Sequence, residues 1–316
     1  MAYANTGAAI RSDINTIVTQ AANADKQFIA DKVLPVYTSN TKTGIYPVLK
    51  IAKGELLGAL TGTERAQGGS YNEIVRAYES DTFDCLDRGL QERIDDAFAQ
   101  DFSRFTDVEV STAALLLRNI KAAAEVRAAA ALFNSSTFTT TSATVDILEA
   151  NLATVDVPKD IDNAIERLAL KGQTANTLVV NQRIWNRFKR STKLQSYLYG
   201  NLPSGVQRTV KPEDLGSEFG LNIVIAAASK NSAKKNATAS LSFIWSDAYF
   251  WIGNVQGGDF TAGGAGRTIV WTQDSDLYTT ETWRDEDRRS DMLRVRQHCV
   301  EKIIDSTAGE LIATGA

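Results

Sequence analysis

The chain has 316 residues, 43% of them hydrophobic, which is enough for about two domains with real cores. Its 34 Lys and Arg against 38 Asp and Glu give a formal net charge of -4, and this excludes a protein whose main work is coating nucleic acid, since that needs a strong basic excess. One histidine, His298, and two cysteines, Cys85 and Cys299, leave most zinc sites and nucleophilic triads short of ligands or a base, and two distant cysteines define no disulfide framework.

Residues 1–27 are rich in Ala, Asn and Thr, with a short amphipathic stretch after Ser12 (Ile14, Ile17, Val18, Ala21). An arm of this kind gains order by lying on something else. Its start has neither a basic nor an apolar segment, so no signal peptide is expected. The longest apolar runs, 128–133 and 223–228, fall far short of the ~20 residues of a membrane span, so no membrane partner is expected and the chain is expected to be made and kept in the cytoplasm. From Phe28 to Val36 apolar residues concentrate, and Pro35 stops them from continuing as helix. Ile45, Pro47, Leu49 and Ile51 alternate with Tyr46, Val48 and Lys50, and Ile74, Arg76 and Tyr78 alternate with Val75, Ala77 and Glu79, so a two-stranded hairpin is predicted. Its tip, Gly54 to Ser70, holds five glycines. Such a hairpin is marginal in water by itself, and its partner is expected to be another copy of the chain.

A short helix is predicted over Leu90 to Phe98, then a long one over about 106–133, opened by a Thr106–Glu109 capping box and reaching ~40 Å. On it Arg118, Lys121 and Glu125 share one face, and Leu116, Ile120, Ala123 and Val126 form the opposite, buried one. The Ser/Thr-rich 134–144 reads as a boundary before an α/β pattern: a helix near 160–169, a strand at 176–181, a helix from Gln182 to Arg190, and a helix opened by Pro212 and ended by Gly220. Strands follow at 222–226, 241–245 and 249–252. The C-terminal part returns to strand alternation at 268–271, 277–283, 292–300 and 302–304. With no helix of its own, that sheet is expected to pack on the long helix, joining the first and last thirds of the chain around a middle insertion.

Few constellations carry chemistry. His298 and Cys299, adjacent in a predicted strand, point to opposite faces and form no dyad, so a structural pair is expected. Arg183, Trp185, Arg187, Phe188, Lys189, Arg190 and Lys193 interleave basic and aromatic residues as a single-strand binder does, but their helical spacing reads more simply as an amphipathic helix with a basic solvent side. Gly257 to Gly266 lacks the Gly-Lys-Ser/Thr of a phosphate loop and reads as a mobile loop. Asp95–Asp96 and the run Arg284-Asp285-Glu286-Asp287-Arg288-Arg289 are the best carboxylate clusters. Arginines compete for the carboxylates of the second, so an ion-pair strip is favoured over a hard-cation site.

The order of elements resembles the HK97-type major capsid proteins of tailed bacteriophages. The resemblance covers nearly the whole chain: the arm, Phe28-Ile-Ala-Asp-Lys-Val-Leu-Pro35, the hairpin, the alanine-rich helix, Asn176-Thr-Leu-Val-Val-Asn181 leading to Trp185, Ala239 to Trp245, Arg294-Val-Arg296, Lys302-Ile-Ile304 and Gly309-Glu-Leu-Ile312. It implies an α+β, HK97-like capsid fold: an N-terminal arm and lead-in at 1–43, an extended E-loop hairpin at 44–86, a peripheral domain from 87–149 and 267–316 with its spine helix, and an axial α/β domain at 150–266. It implies a structural subunit, not an enzyme, with no cofactor, that assembles into hexamers and pentamers of an icosahedral virion shell in the host cytoplasm and encloses double-stranded DNA without reading its sequence. Only 27 residues precede Phe28, so no assembly-directing extension is expected, and scaffolding, portal and decoration proteins would be separate chains. Glu64 and Arg65 at the hairpin tip and Arg284, Glu286 and Arg288 in the charged run are the expected assembly contacts. An encapsulin-like cellular compartment is the alternative, and a non-capsid enzyme with a carboxylate metal site at 285–287 the more distant one.

Overall fold

The computed structural model describes residues 9–10, 27–48, 64–65, 67–71, 79–102, 107–200, 208–233, 237–273 and 277–315. The strand expected at Ile74 to Tyr78 and the proposed Thr106 cap lie outside them.

The chain opens with strand β1 (Ala9–Ile10), a one-turn helix α1 (Ala30–Val33) and β2 (Val36–Ser39). The hairpin follows as β3 (Thr43–Val48) against β4 (Glu79–Asp84), in antiparallel register from Thr43↔Asp84 to Val48↔Glu79. Its described downstream arm is therefore the polar strand Glu-Ser-Asp-Thr-Phe-Asp, which begins where the alternation expected over Ile74 to Glu79 ends. Among the described residues these two strands form a sheet of their own.

Leu86–Asp95, expected to end in a helix from Leu90, is strand β5, and α2 begins only at Asp96 (Asp96–Phe102). The reason is tertiary: β5 pairs residue for residue with β14 (Ser290–Ile303) from Asp95↔Ser290 to Leu86↔Cys299, and a ten-residue ladder overrides local helix preference. The long β14, expected as two strands, is the axis of a six-stranded sheet. On its other edge it pairs first with β13 (Thr279–Asp285) and then with β12 (Gly266–Trp271), and β1 and β2 close the sheet on either side.

Helix α3 (Val108–Leu132) lies on this sheet as expected. Its 25 residues span about 37 Å, and the Asp107 carboxylate, in place of the expected Thr106, accepts from the Val110 amide at 3.2 Å. Leu116, Leu117 and Ile120 are buried against Leu293 and Val295 of β14. The face differs from expectation further along: Lys121 and Glu125 are buried, while Ala123 and Val126 are exposed. Glu125 is inside because it has donors to satisfy. Its carboxylate accepts from the Ile29 amide (3.0 and 3.1 Å), the Ala30 amide (2.8 Å) and the Trp245 indole (2.6 Å). It caps α1, whose first amides have no helical partner, and ties that turn and Trp245 to α3.

The second sheet runs β6-β15-β11-β7-β8: β6 (Thr139–Ser142), β15 (Gly309–Ala313), β11 (Tyr249–Gly253), β7 (Thr177–Asn181) and β8 (Asn222–Ala226). The last strand of the chain and Thr139–Ser142 thus belong with 177–253 and not with the β14 sheet, a departure from the expected boundaries. Gly253 and Gly309 sit opposite each other in register because a Cβ on either would overlap the Trp251 indole. Around this sheet pack α4 (Val157–Leu170), α5 (Gln182–Arg190), α6 (Thr192–Tyr199) and α7 (Pro212–Phe219), and a small β-ribbon of β9 (Ser229–Asn231) and β10 (Leu241–Phe243) extends it.

Candidate assembly surface

The root of the hairpin is built from aromatic rings. Tyr46 and Phe83 are buried with Cys85, Ile269 and Ile304, and Phe260 stacks on Tyr46 at 5.0 Å between ring centres and meets Tyr37 at 4.4 Å. Phe260 comes from the glycine-rich segment read as a mobile loop, and the reason it is held is Arg267. This buried guanidinium donates to the Gly258, Gly263 and Gly266 carbonyls at 3.3, 2.6 and 2.9 Å. The Tyr46 hydroxyl donates to Asp81 at 2.8 Å; burial and that carboxylate push the hydroxyl's pKa up, and the hydrogen bond holds Asp81 down. Beside this root lies an open groove of about 610 Å³ lined by Gly44, Ile45, Phe83, Leu86 and Lys302, in which Ile45 is 72% exposed.

The charged run is the loop that joins β13 to β14, closing between Asp285 and Ser290. Arg289 in it has φ 46, a left-handed conformation uncommon outside glycine. Arg284 is already committed within the chain. Its two terminal nitrogens donate to Asp96 at 2.6 and 2.7 Å, one of them also to Asp291 at 3.2 Å, and its ε nitrogen lies 3.6 Å from Glu286. The hydrogen bonds to Asp96 hold the Arg284 pKa well above the usual range and the Asp96 pKa below it. Asp96 starts α2, so the pair fastens that helix to the loop, a role that sequence spacing across 188 residues gave no sign of. Arg288 is 62% exposed and reaches only Asp285, at 3.8 Å, and the Glu286 side chain is 83% exposed. Glu64 and Arg65 are exposed, with Arg65 over the Tyr71 ring at 5.0 Å. Among the described residues of one chain the ion-pair partners of Arg284 and Arg288 are thus Asp96, Asp291, Glu286 and Asp285, and neither Glu64 nor Arg65 is among their contacts.

The basic helix α5 is neutralised in part. Arg183 pairs with Asp247, Arg190 with Glu149 and Lys193 of α6 with Asp156, while Arg187 donates to the Ile147 carbonyl at 2.7 Å. Trp185 and Phe188 are buried, so no aromatic face is offered to a base. Cys85 and Cys299 are free and buried, and burial pushes both thiols up to about 11, away from a reactive thiolate. His298 is buried in β14 beside Trp271. Among the described residues no three His, Cys, Asp or Glu side chains converge as metal ligands, the 285–287 run included, and no helix is long and apolar enough to cross a membrane.

No family model and no curated protein matches the chain. Solved structures do, over almost its full length. A phage-related protein from Bordetella bronchiseptica RB50 covers 98% of the chain and is itself covered over 98%, with TM-score 0.69 and 16% identity. A virus-like particle from Pyrococcus furiosus covers 95%, with 97% of its own chain matched, TM-score 0.59 and 10% identity. The capsid of cyanophage P-SCSP1u covers 91%, with 88% of its own chain matched, TM-score 0.59 and 11% identity. The chain has the α+β fold of phage capsid proteins, the HK97-like fold that the order of its elements resembled.

Proposed function

We propose that this chain is the major capsid subunit of a tailed phage, a structural protein that self-assembles into hexamers and pentamers of a closed icosahedral shell around double-stranded DNA. The observation that carries the reading is the full-length likeness to capsid structures in a chain whose hairpin strands pair with no other described strand. Exposed Ile45 and the groove beside it are surface that a neighbouring copy covers. The 44–86 hairpin reaches to neighbours, the β14 sheet with its spine helix, joined by β1 and β2 of the 1–43 segment, forms the peripheral part, and the β11 sheet with its helices the axial part. A net charge of -4, with Arg183 and Arg190 of α5 already paired to carboxylates, supports enclosure of DNA without tight or sequence-specific binding. Assembly in the host cytoplasm, with separate scaffolding, portal and decoration proteins, accompanies this reading. The phage-capsid likeness does not favour the encapsulin-like alternative.

Negative-stain microscopy of the expressed protein tests the proposal. Closed shells of uniform size are expected, and a protein that stays monomeric at every concentration and with scaffold supplied rejects it. Sequencing of enclosed nucleic acid separates a genome container from a compartment filled with protein cargo.

A further inference from the structure

The domain built on the β11 sheet carries two charge clusters of opposite sign, each with members that have no ion-pair partner among the described residues. Asn186, Lys189, Arg190, Gln195, Arg208 and Thr209 line an open cleft of about 420 Å³. The Arg190 guanidinium is spent on Glu149, but among the described residues no carboxylate lies within ion-pair distance of Lys189 or Arg208. Arg208 instead lies over the Tyr199 ring at 5.6 Å. The Asp214 carboxylate accepts from the Tyr199 hydroxyl and the Lys211 amide, which hold its pKa down first, and the Lys211 and Arg208 charges add to that at longer range.

The acidic cluster lies around Tyr197. This ring is half exposed and stacks on Phe219 at 5.8 Å. Asp162 of α4 and Glu218 of α7 act on it, Glu218 also accepting a hydrogen bond from its hydroxyl; both are exposed, with no cation within ion-pair distance among the described residues. They act on each other: the Asp162 carboxyl is pushed up by the desolvation of its site and then by the Glu218 charge. In the isolated subunit no cation pairs with these two carboxylates among the described residues.

Gln195 and Tyr197 are two residues apart on α6, so their side chains diverge by about 200° around the helix. The basic cleft and the acidic aromatic edge therefore face different ways. Complementary patches on different faces of one chain cannot meet in a two-fold dimer of like surfaces; they join head to tail, and such joins form rings when the rotation between copies closes and open filaments when it does not. We infer that the Lys189/Arg208 cleft of one subunit receives the Asp162/Glu218/Tyr197 edge of the next, a second copy of this chain, around a ring. Opposite charge sets the direction of the ring, and the exposed Tyr197 supplies apolar area at its centre. This contact rests on the capsid reading and specifies which surfaces of the subunit that reading joins.

Charge reversal tests it. Lys189→Glu/Arg208→Glu makes both patches acidic, and Asp162→Lys/Glu218→Lys makes both basic. Each variant alone is expected to raise the concentration at which rings form, by sedimentation velocity, at least about tenfold. An equimolar mixture of the two restores complementary neighbours and is expected to recover assembly, in alternating rings with an even number of subunits. Either variant assembling at the wild-type concentration, or a mixture as dispersed as its components, overturns the inference. Circular dichroism and melting monitor the fold. If a reversed variant melts early, Lys189→Gln/Arg208→Gln carries the test: weakened assembly that has lost its salt dependence supports the contact, and wild-type assembly overturns it. A wild type that forms neither rings nor shells with scaffold supplied overturns the capsid reading itself, whereas a wild type that assembles beside unaffected variants overturns this contact alone.

Discussion

Glu125 shows how one buried side chain can join three parts of a chain. Four hydrogen bonds from Ile29, Ala30 and Trp245 converge on it, so glutamine, with one acceptor oxygen and an amide that faces donors, leaves partners unsatisfied at a cost of about 1–3 kcal/mol. Burial pushes its carboxyl above 4.5, the hydrogen bonds from Trp245 and the backbone oppose that, and Asp31 adds to it. A carboxyl whose folded pKa is raised binds its proton more tightly in the folded state. Its stabilising share is complete below the unfolded value of 4.5 and is lost as pH rises through the folded value. Glu125→Gln is therefore expected to be less stable at neutral pH and to lack that fall. Asp31 is raised too, by burial first, and its charge acts on Glu125, so the difference between the two denaturation free energies from about pH 4 to pH 8 reads Glu125 together with its coupling to Asp31. Equal slopes in the two proteins would show that Glu125 does not titrate in this range.

Among the elements, α3 is the one whose packing decides whether the subunit folds. Ile120 is 4% exposed against Leu293 and Val295 of β14, and Ile120→Asp places a charge there without a partner, at a cost of several kcal/mol. Loss of soluble, cooperatively melting protein is expected; an unchanged melting temperature would contradict the packing of α3 on β14. Elements marked by local chemistry were legible. The helix at Gln182–Arg190 was bounded to the residue because Asn181 caps it, and that at Pro212–Phe219 because proline opens it and Gly220, at φ 65, ends it. Elements decided at long range were not. β5 read as the start of a helix because its partner β14 lies about 200 residues on, and the inward turn of Glu125 depends on amides 96 residues away. Helical spacing alone sets a charged face against an apolar one, and it could not show that the charged face had buried donors waiting.

At the scale of the whole molecule, the subunit separates groups that hold its own fold from groups left over for neighbours, and that division decides which variants test assembly. Of the contacts expected from sequence, Arg284 belongs to the first set: reversing it breaks the bidentate tie to Asp96 that fastens α2, so a failure to assemble would be confounded with a damaged subunit. Its pairing was illegible because Asp96 reads as half of an isolated acidic pair. Arg288 belongs to the second set, with one long contact to Asp285, so Arg288→Glu is expected to leave melting within about 0.5 kcal/mol of wild type. If the loop pairs with a neighbour, particle yield falls, and falls further at low salt where repulsion is least screened; yield independent of salt removes Arg288 from the assembly contacts. The hairpin gives the cleanest separation. Its root is buried and locked by Phe260, Tyr46 and Phe83, while residues 54–70 lie beyond the strands that reach that root. Replacing 54–70 with a short turn leaves the root cluster and both large sheets intact, so a monomer with wild-type circular dichroism and melting is expected. The same protein is expected to form no closed shells, because two strands with so little apolar surface are stable only against a neighbour, and the neighbour has lost the surface it grips. Normal shells from the shortened chain, by microscopy and sedimentation, would show that the tip makes no essential contact, and would shift the burden of assembly onto the head-to-tail faces of the α6 domain.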